Sequence, residues 1–163
     1  MMRGYGDGSI LRATFAEASE VLGLDLWRLA SEGPKEELDL TVNTQPVMLT
    51  AGVACYRLWR DMGGAEPAFM AGHSLGEYTA LTCAGALPFA DAVRLVRLRA
   101  QVMQDAVPAG QGGMAAILGL EDDAVRELCA EAAEGEVVAA AVSYTHLRAH
   151  ETPEHLVCRL LLE

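Results

Sequence analysis

The chain has 163 residues, 52% of them hydrophobic, with 12 lysines and arginines against 23 aspartates and glutamates and a formal net charge of −11. That length suits one domain of ordinary size with a substantial core, and the acidic balance argues against a nucleic-acid partner. No apolar run approaches a membrane span, and no N-terminal segment reads as a signal peptide. Cys55, Cys83, Cys129 and Cys158 lack C-x-x-C spacing. Cys55, Cys83 and Cys129 fall among apolar neighbours and are expected to be reduced, buried thiols of a cytoplasmic protein, with metal binding disfavoured.

Residues 1–9 are glycine-rich and carry no period. Leu11, Phe15, Ala18 and Leu22 recur at helical spacing and predict a helix that stops at Gly23. Residues 24–29 make a short amphipathic piece around Trp27. Gly33-Pro34 is a break, and Pro34 suits the first turn of a short helix over 35–38. Pro46 is expected to open a long apolar helix over 47–59, closed by Asp61 to Gly64. Residues 67–71 are a buried-strand candidate. Helices are expected over 75–84, ending at Gly85, and over 89–104, between Pro88 and Pro108. Residues 109–113 read as a connector and a subdomain boundary. A strand over 114–120, a helix over 122–133 and a strand over 137–141 follow. The chain contains no evident internal repeat.

The segment Val142 to Thr152 has neither helical nor strand period. It resembles the translation of a transposase-type sequencing-library adapter, and Leu156 to Glu163 fits the flow-cell end of the same oligonucleotide. The alternative is a natural amphipathic C-terminal tail. Residues 142–163 are read as a non-native tail and set apart from the fold. His146, His150 and His155 go with them, which leaves His73 as the one histidine of the body.

The chemistry centres on Gly72-His73-Ser74-Leu75-Gly76-Glu77. A serine on a sharp strand-to-helix turn presents its hydroxyl at the end of a sheet. Glycines on both sides let backbone approach without a Cβ clash. The helix that follows aims its N-terminal amides at the same spot, as a nucleophile and its oxyanion require. His73 is a poor base for Ser74, because adjacent side chains at a tight turn diverge. Its expected role is to shape the turn or line the pocket. Arg94, Arg97 and Arg99 share the 89–104 helix. Arg94 and Arg97 read as a solvated basic face. Arg99, flanked by Leu98, Ala100 and Met103, is expected to point inward, where a guanidinium needs an anion and binds a carboxylate through two parallel hydrogen bonds.

Gly72 to Tyr78, Thr44-Gln45-Pro46, Pro88 to Val93 and Arg99 to Gln104 together resemble the malonyl-CoA:acyl carrier protein transacylase family of fatty-acid synthesis. The resemblance covers essentially residues 2–141. It implies a partial acyltransferase fold of α/β class: a helix-rich, α/β-hydrolase-like large subdomain over 1–110 and the start of a ferredoxin-like small subdomain over 111–141. It also implies that Ser74 attacks malonyl-CoA, that the Leu75 amide supplies half the oxyanion hole, and that Arg99 pairs with the malonyl carboxylate. Gln45 would line the site and His73 would sit beside the acyl group. The acceptor would be the phosphopantetheine thiol of acyl carrier protein, and no cofactor is implied. The intact family is expected to be monomeric.

The chain departs from the family pattern at both ends. It lacks the family's first strand and glutamine-bearing loop, and the general-base histidine and its asparagine would fall beyond residue 141. A truncated, inactive piece of the enzyme is the expectation. Three other readings stand beside it: an α/β-type serine hydrolase, a polyketide synthase acyltransferase domain, and a non-catalytic remnant.

Overall fold

A computed structural model describes residues 9–106 and 117–140. Among them are seven helices and no strand. The chain divides into two compact units, residues 1–104 and 105–163. Within the described residues no helix is long and apolar enough to cross a membrane.

The first unit is a helical body. α1 (Ser9–Leu22) buries Leu11, Phe15 and Ala18 at helical spacing. It closes with the Leu24 N–H donating to the Ser19 carbonyl at 3.2 Å, the six-to-one bond of a Schellman ending. α2 (Leu26–Glu32) starts on Asp25, whose carboxylate accepts from the Arg28 N–H at 2.9 Å. Its Leu26, Leu29 and Ala30 are buried, and Trp27 meets the Phe15 ring edge-on at 5.3 Å. α3 (Lys35–Leu38) is a single turn.

α4 (Thr41–Asp61) is the central element and packs on α1, α2, α3 and α5. It starts ahead of the expected opening at Pro46, which lies inside the helix and is buried. α5 (Leu75–Cys83) crosses α4 closely at Gly52. A Cβ there would come within 2.7 Å of the Thr79 side chain, so only glycine permits this spacing. α6 (Phe89–Ala106) adds Phe89, Ala92, Val93 and Val96 to the same core.

The strand expected over 67–71 is absent: these residues are irregular, and Phe69 is 94% exposed. A strand is held by a neighbouring strand's backbone groups, and none lies beside this segment among the described residues. In the second unit, α7 (Asp122–Ala132) matches the expected helix. The described parts of the two flanking strand candidates, 117–120 and 137–140, are not strand. Residues 114–116, residue 141, the 109–113 connector and the 142–163 tail lie outside the described residues.

The cysteines also differ from expectation. Cys129 is buried, but Cys83 is only half-buried and Cys55 is exposed. Burial pushes the Cys83 thiol above its ordinary range, and the Arg57 guanidinium partly opposes that shift. Cys158 lies outside the described residues.

Candidate active site

Ser74 stands at the N-cap of α5 with φ 53° and ψ −113°, a left-handed backbone conformation that a residue with a Cβ adopts only under strain. The turn is fixed on both sides. The Gly76 N–H donates to the His73 carbonyl at 2.8 Å and the Glu77 N–H to the Ser74 carbonyl at 3.2 Å. Gly72 passes so near that a Cβ on it would lie 2.0 Å from the Gly76 carbonyl carbon and oxygen. Of the two flanking glycines, only Gly72 is required by close approach. A Cβ on Gly76 would meet nothing within 4 Å. Leu75 is the first residue of α5, so helix geometry gives its N–H no intrahelical acceptor. Glu77 lies in the first turn, where a negative charge suits the helix dipole.

Arg99 reaches this turn from α6. Its Nη2 donates to Ser74 Oγ at 3.0 Å and its Nη1 to Gln45 Oε1 at 2.7 Å. The guanidinium carbon lies 5.7 Å from the centre of the Tyr78 ring, within range of a cation–π contact. Gln45 is buried on α4, and its Nε2 donates to Met103 Sδ at 3.5 Å. Thus Ser74, Gln45 and Arg99 form one continuous hydrogen-bonded group, although the guanidinium is 54 positions from Gln45 and 25 from Ser74 in the chain. Both acceptors are neutral, so the positive charge of Arg99 faces the serine without a counter-anion from them. His73 is exposed beside Ser74.

Three contributors had no assigned part in the sequence reading. Tyr78 and Met103 each sit four positions after a key residue, Ser74 and Arg99, and helical spacing is the signal that brings them to it. Arg97 is the third. It is half-buried rather than part of a solvated face, and its Nη1 donates to Asn43 Oδ1 at 2.8 Å and to the Val42 carbonyl. Arg94 is a surface residue paired with Asp91 at 2.9 Å, as a solvated face requires. Among the described residues no group of three His, Cys, Asp or Glu side chains could hold a metal ion.

The acyl transferase domain family matches residues 7–158 of this chain. The chain is 61% identical over 129 residues to the malonyl CoA-acyl carrier protein transacylase of Escherichia coli (strain K12), covering 79% of this chain and 42% of that protein. The crystal structure of an acyl-carrier-protein S-malonyltransferase from Burkholderia pseudomallei 1710b superposes with a TM-score of 0.80 at 60% identity, over 85% of this chain and 45% of that one. A malonyl-transacylase solved in complex with a type II polyketide synthase acyl carrier protein matches at 52% identity and a TM-score of 0.77, over 81% of this chain and 43% of that one. The chain therefore spans less than half the length of these relatives. The chain belongs to the acyl transferase domain family, and the relatives it matches there are malonyl-CoA:acyl carrier protein transacylases.

Proposed function

We propose that this chain carries the nucleophile elbow and carboxylate clamp of a malonyl-CoA:acyl carrier protein transacylase. Ser74 Oγ attacks the thioester carbonyl of malonyl-CoA, the carbon–sulfur bond breaks, and coenzyme A leaves as its thiol with the serine proton. The Leu75 N–H stabilises the oxyanion at the helix start. Arg99 gives up its bond to Ser74 Oγ and pairs with the free malonyl carboxylate, which enters between the two. Gln45 holds the guanidinium from behind, and His73 flanks the acyl unit. A carrier protein's phosphopantetheine thiol then attacks the malonyl-serine and restores the hydroxyl. No described residue supplies a general base placed for the proton transfer. The parent fold on this reading is α/β, with residues 1–110 in the large subdomain and 111–141 opening a ferredoxin-like one.

The observation that carries this reading is the Arg99 guanidinium, 3.0 Å from Ser74 Oγ and steadied by a neutral amide. A site built for uncharged acyl groups has no use for a half-buried cation at that position. The test uses the protein bearing this segment at the full length of its relatives. It is incubated with malonyl-CoA or acetyl-CoA, and acylation of Ser74 is read by mass spectrometry. Malonyl labelling is expected to dominate, and Arg99→Ala to lower it about 10- to 100-fold, the worth of a charge-assisted hydrogen-bonded pair. Equal labelling by both donors, unchanged in Arg99→Ala, would point instead to a serine hydrolase with no carboxylate preference.

A further inference from the structure

α4 contains a defect that α6 repairs. Pro46 lies inside α4 and has no N–H. In an α-helix that N–H would donate to the carbonyl four residues earlier, which is the carbonyl of Val42. Val42 is thus deprived of its regular helical donor in the turn that leads directly into Gln45. A carbonyl left unpaired at a partly buried position is costly. Arg97 supplies a donor from α6: its Nη1 donates to this same carbonyl and, at 2.8 Å, to Asn43 Oδ1. The Asn43 amide in turn donates to the Glu37 carbonyl at 2.8 Å, and the Thr44 hydroxyl to the Leu38 carbonyl. The first turns of α4 are therefore tied on one side to α3 and on the other to α6.

The geometry points to Arg97 as a positioning residue: its guanidinium replaces the N–H that Pro46 lacks and so fixes the backbone that presents Gln45 to Arg99. Arg97 and Arg99 stand two positions apart on α6. One holds the helix just ahead of Pro46, and the other holds the side chain adjoining it. A shift of the Val42–Gln45 turn moves Gln45 Oε1, and with it the guanidinium that meets Ser74 Oγ.

Two readouts in the full-length protein test this, and only the second rests on the function proposed above. The first is amide hydrogen exchange of the α4 segment 41–50, read in both backgrounds at the amides other than that of position 46, in a double-mutant cycle. Arg97→Met is expected to speed exchange about tenfold with Pro46 in place, and no more than about threefold in the Pro46→Ala background, where residue 46 donates its own N–H to Val42. Equal acceleration in both backgrounds overturns the replacement. Arg97→Lys, which keeps a donor and the charge, is expected to recover part of the protection; Lys behaving like Met also counts against it. The second readout is the ratio of malonyl to acetyl labelling at Ser74. It should fall in Arg97→Met and return when Pro46→Ala is added. A coupled exchange effect with an unmoved ratio reduces Arg97 to a structural tie and overturns its positioning role. A parent protein with no malonyl preference fails the proposed function, while the exchange cycle still decides the repair.

Discussion

Residues 9–104 and residues 117–140 differ in how much each buries. In the first, Leu11, Phe15, Leu26, Leu49, Val93 and Val96 are fully inaccessible and belong to one core shared by α1, α2, α4 and α6. In the second, only Val125 and Cys129 are buried, with Ile117 and Val138 packed against them. The consequence shows in what each region can hold in place. A serine in a left-handed conformation costs on the order of 1–3 kcal/mol, and the first region holds one at Ser74, at the start of the α5 helix that packs on α4 and with Arg99 of α6 bonded to its hydroxyl. The second region's positive-φ residue with a Cβ, Glu134, sits beyond α7 in a turn that is exposed, as Ser74 also is. The strained serine thus stands on the region with the larger core.

The largest expected effect comes from attacking that core. Phe15 is fully buried and meets Trp27 edge-on. Phe15→Ala is expected to cost about 3–5 kcal/mol, the transfer loss plus the cavity left behind. Chemical denaturation followed by tryptophan fluorescence measures it, since Trp27 reports the site directly. A loss below about 1 kcal/mol would mean that the helical body can collapse around the gap, and that its packing does not explain the fixed elbow.

A middle-sized effect separates the two glycines of the elbow, which the sequence presents as equivalent. Gly72→Ala places a methyl 2.0 Å from backbone atoms of Gly76, and backbone cannot swing aside as a side chain can. Overpacking of this kind costs about 1–3 kcal/mol, and it shifts the turn that carries Ser74, so labelling of the serine should fall as well. Gly76→Ala has open space and sits inside α5. It should be neutral or gain up to about 1 kcal/mol from helix propensity. Equal losses at both positions, in denaturation and in labelling, would remove the close-approach argument.

The same contrast explains what could be read from the sequence. α1, α6 and α7 are legible because helix hydrogen bonds and one-sided burial are local, and apolar spacing records them, whereas α5 buries no residue and is marked by the elbow before it and Gly85 after it. The start of α4 is not legible. Pro46 suggested a first-turn position by local rules, whereas the helix runs through it and a donor 55 positions away meets the Val42 carbonyl. The strands expected over 67–71, 114–120 and 137–141 rest on short apolar runs alone. A strand exists only with a partner, and short apolar runs do not name one. At the site, the glycine–serine motif located Ser74 and the apolar flanks of Arg99 signalled its inward reach. Gln45 came with the family resemblance and is now in direct contact with Arg99. Helical spacing offers Tyr78 and Met103 as neighbours of Ser74 and Arg99, but the contacts of Tyr78 with Arg99 and of Met103 with Gln45 depend on how α4, α5 and α6 pack, which spacing does not encode.

The smallest effect tests the weaker region by itself. Val125 is 8% exposed and shares its cluster with Cys129, Ile117 and Val138. Val125→Ala removes two methyl groups, but the lining is partly open, so the site relaxes more completely than a closed core and the cavity contribution is small. The expected loss is about 1 kcal/mol, equivalent to roughly fivefold faster amide exchange across α7 where local opening controls it. At the α7 termini Glu121 makes no side-chain cap bond and the last turn carries no basic residue, while Asp122 and Asp123 in the first turn suit the helix dipole. An acceleration of a hundredfold or more would show that this cluster is as cooperative as the larger core. The difference in burial would then no longer account for where the chain keeps its strained serine.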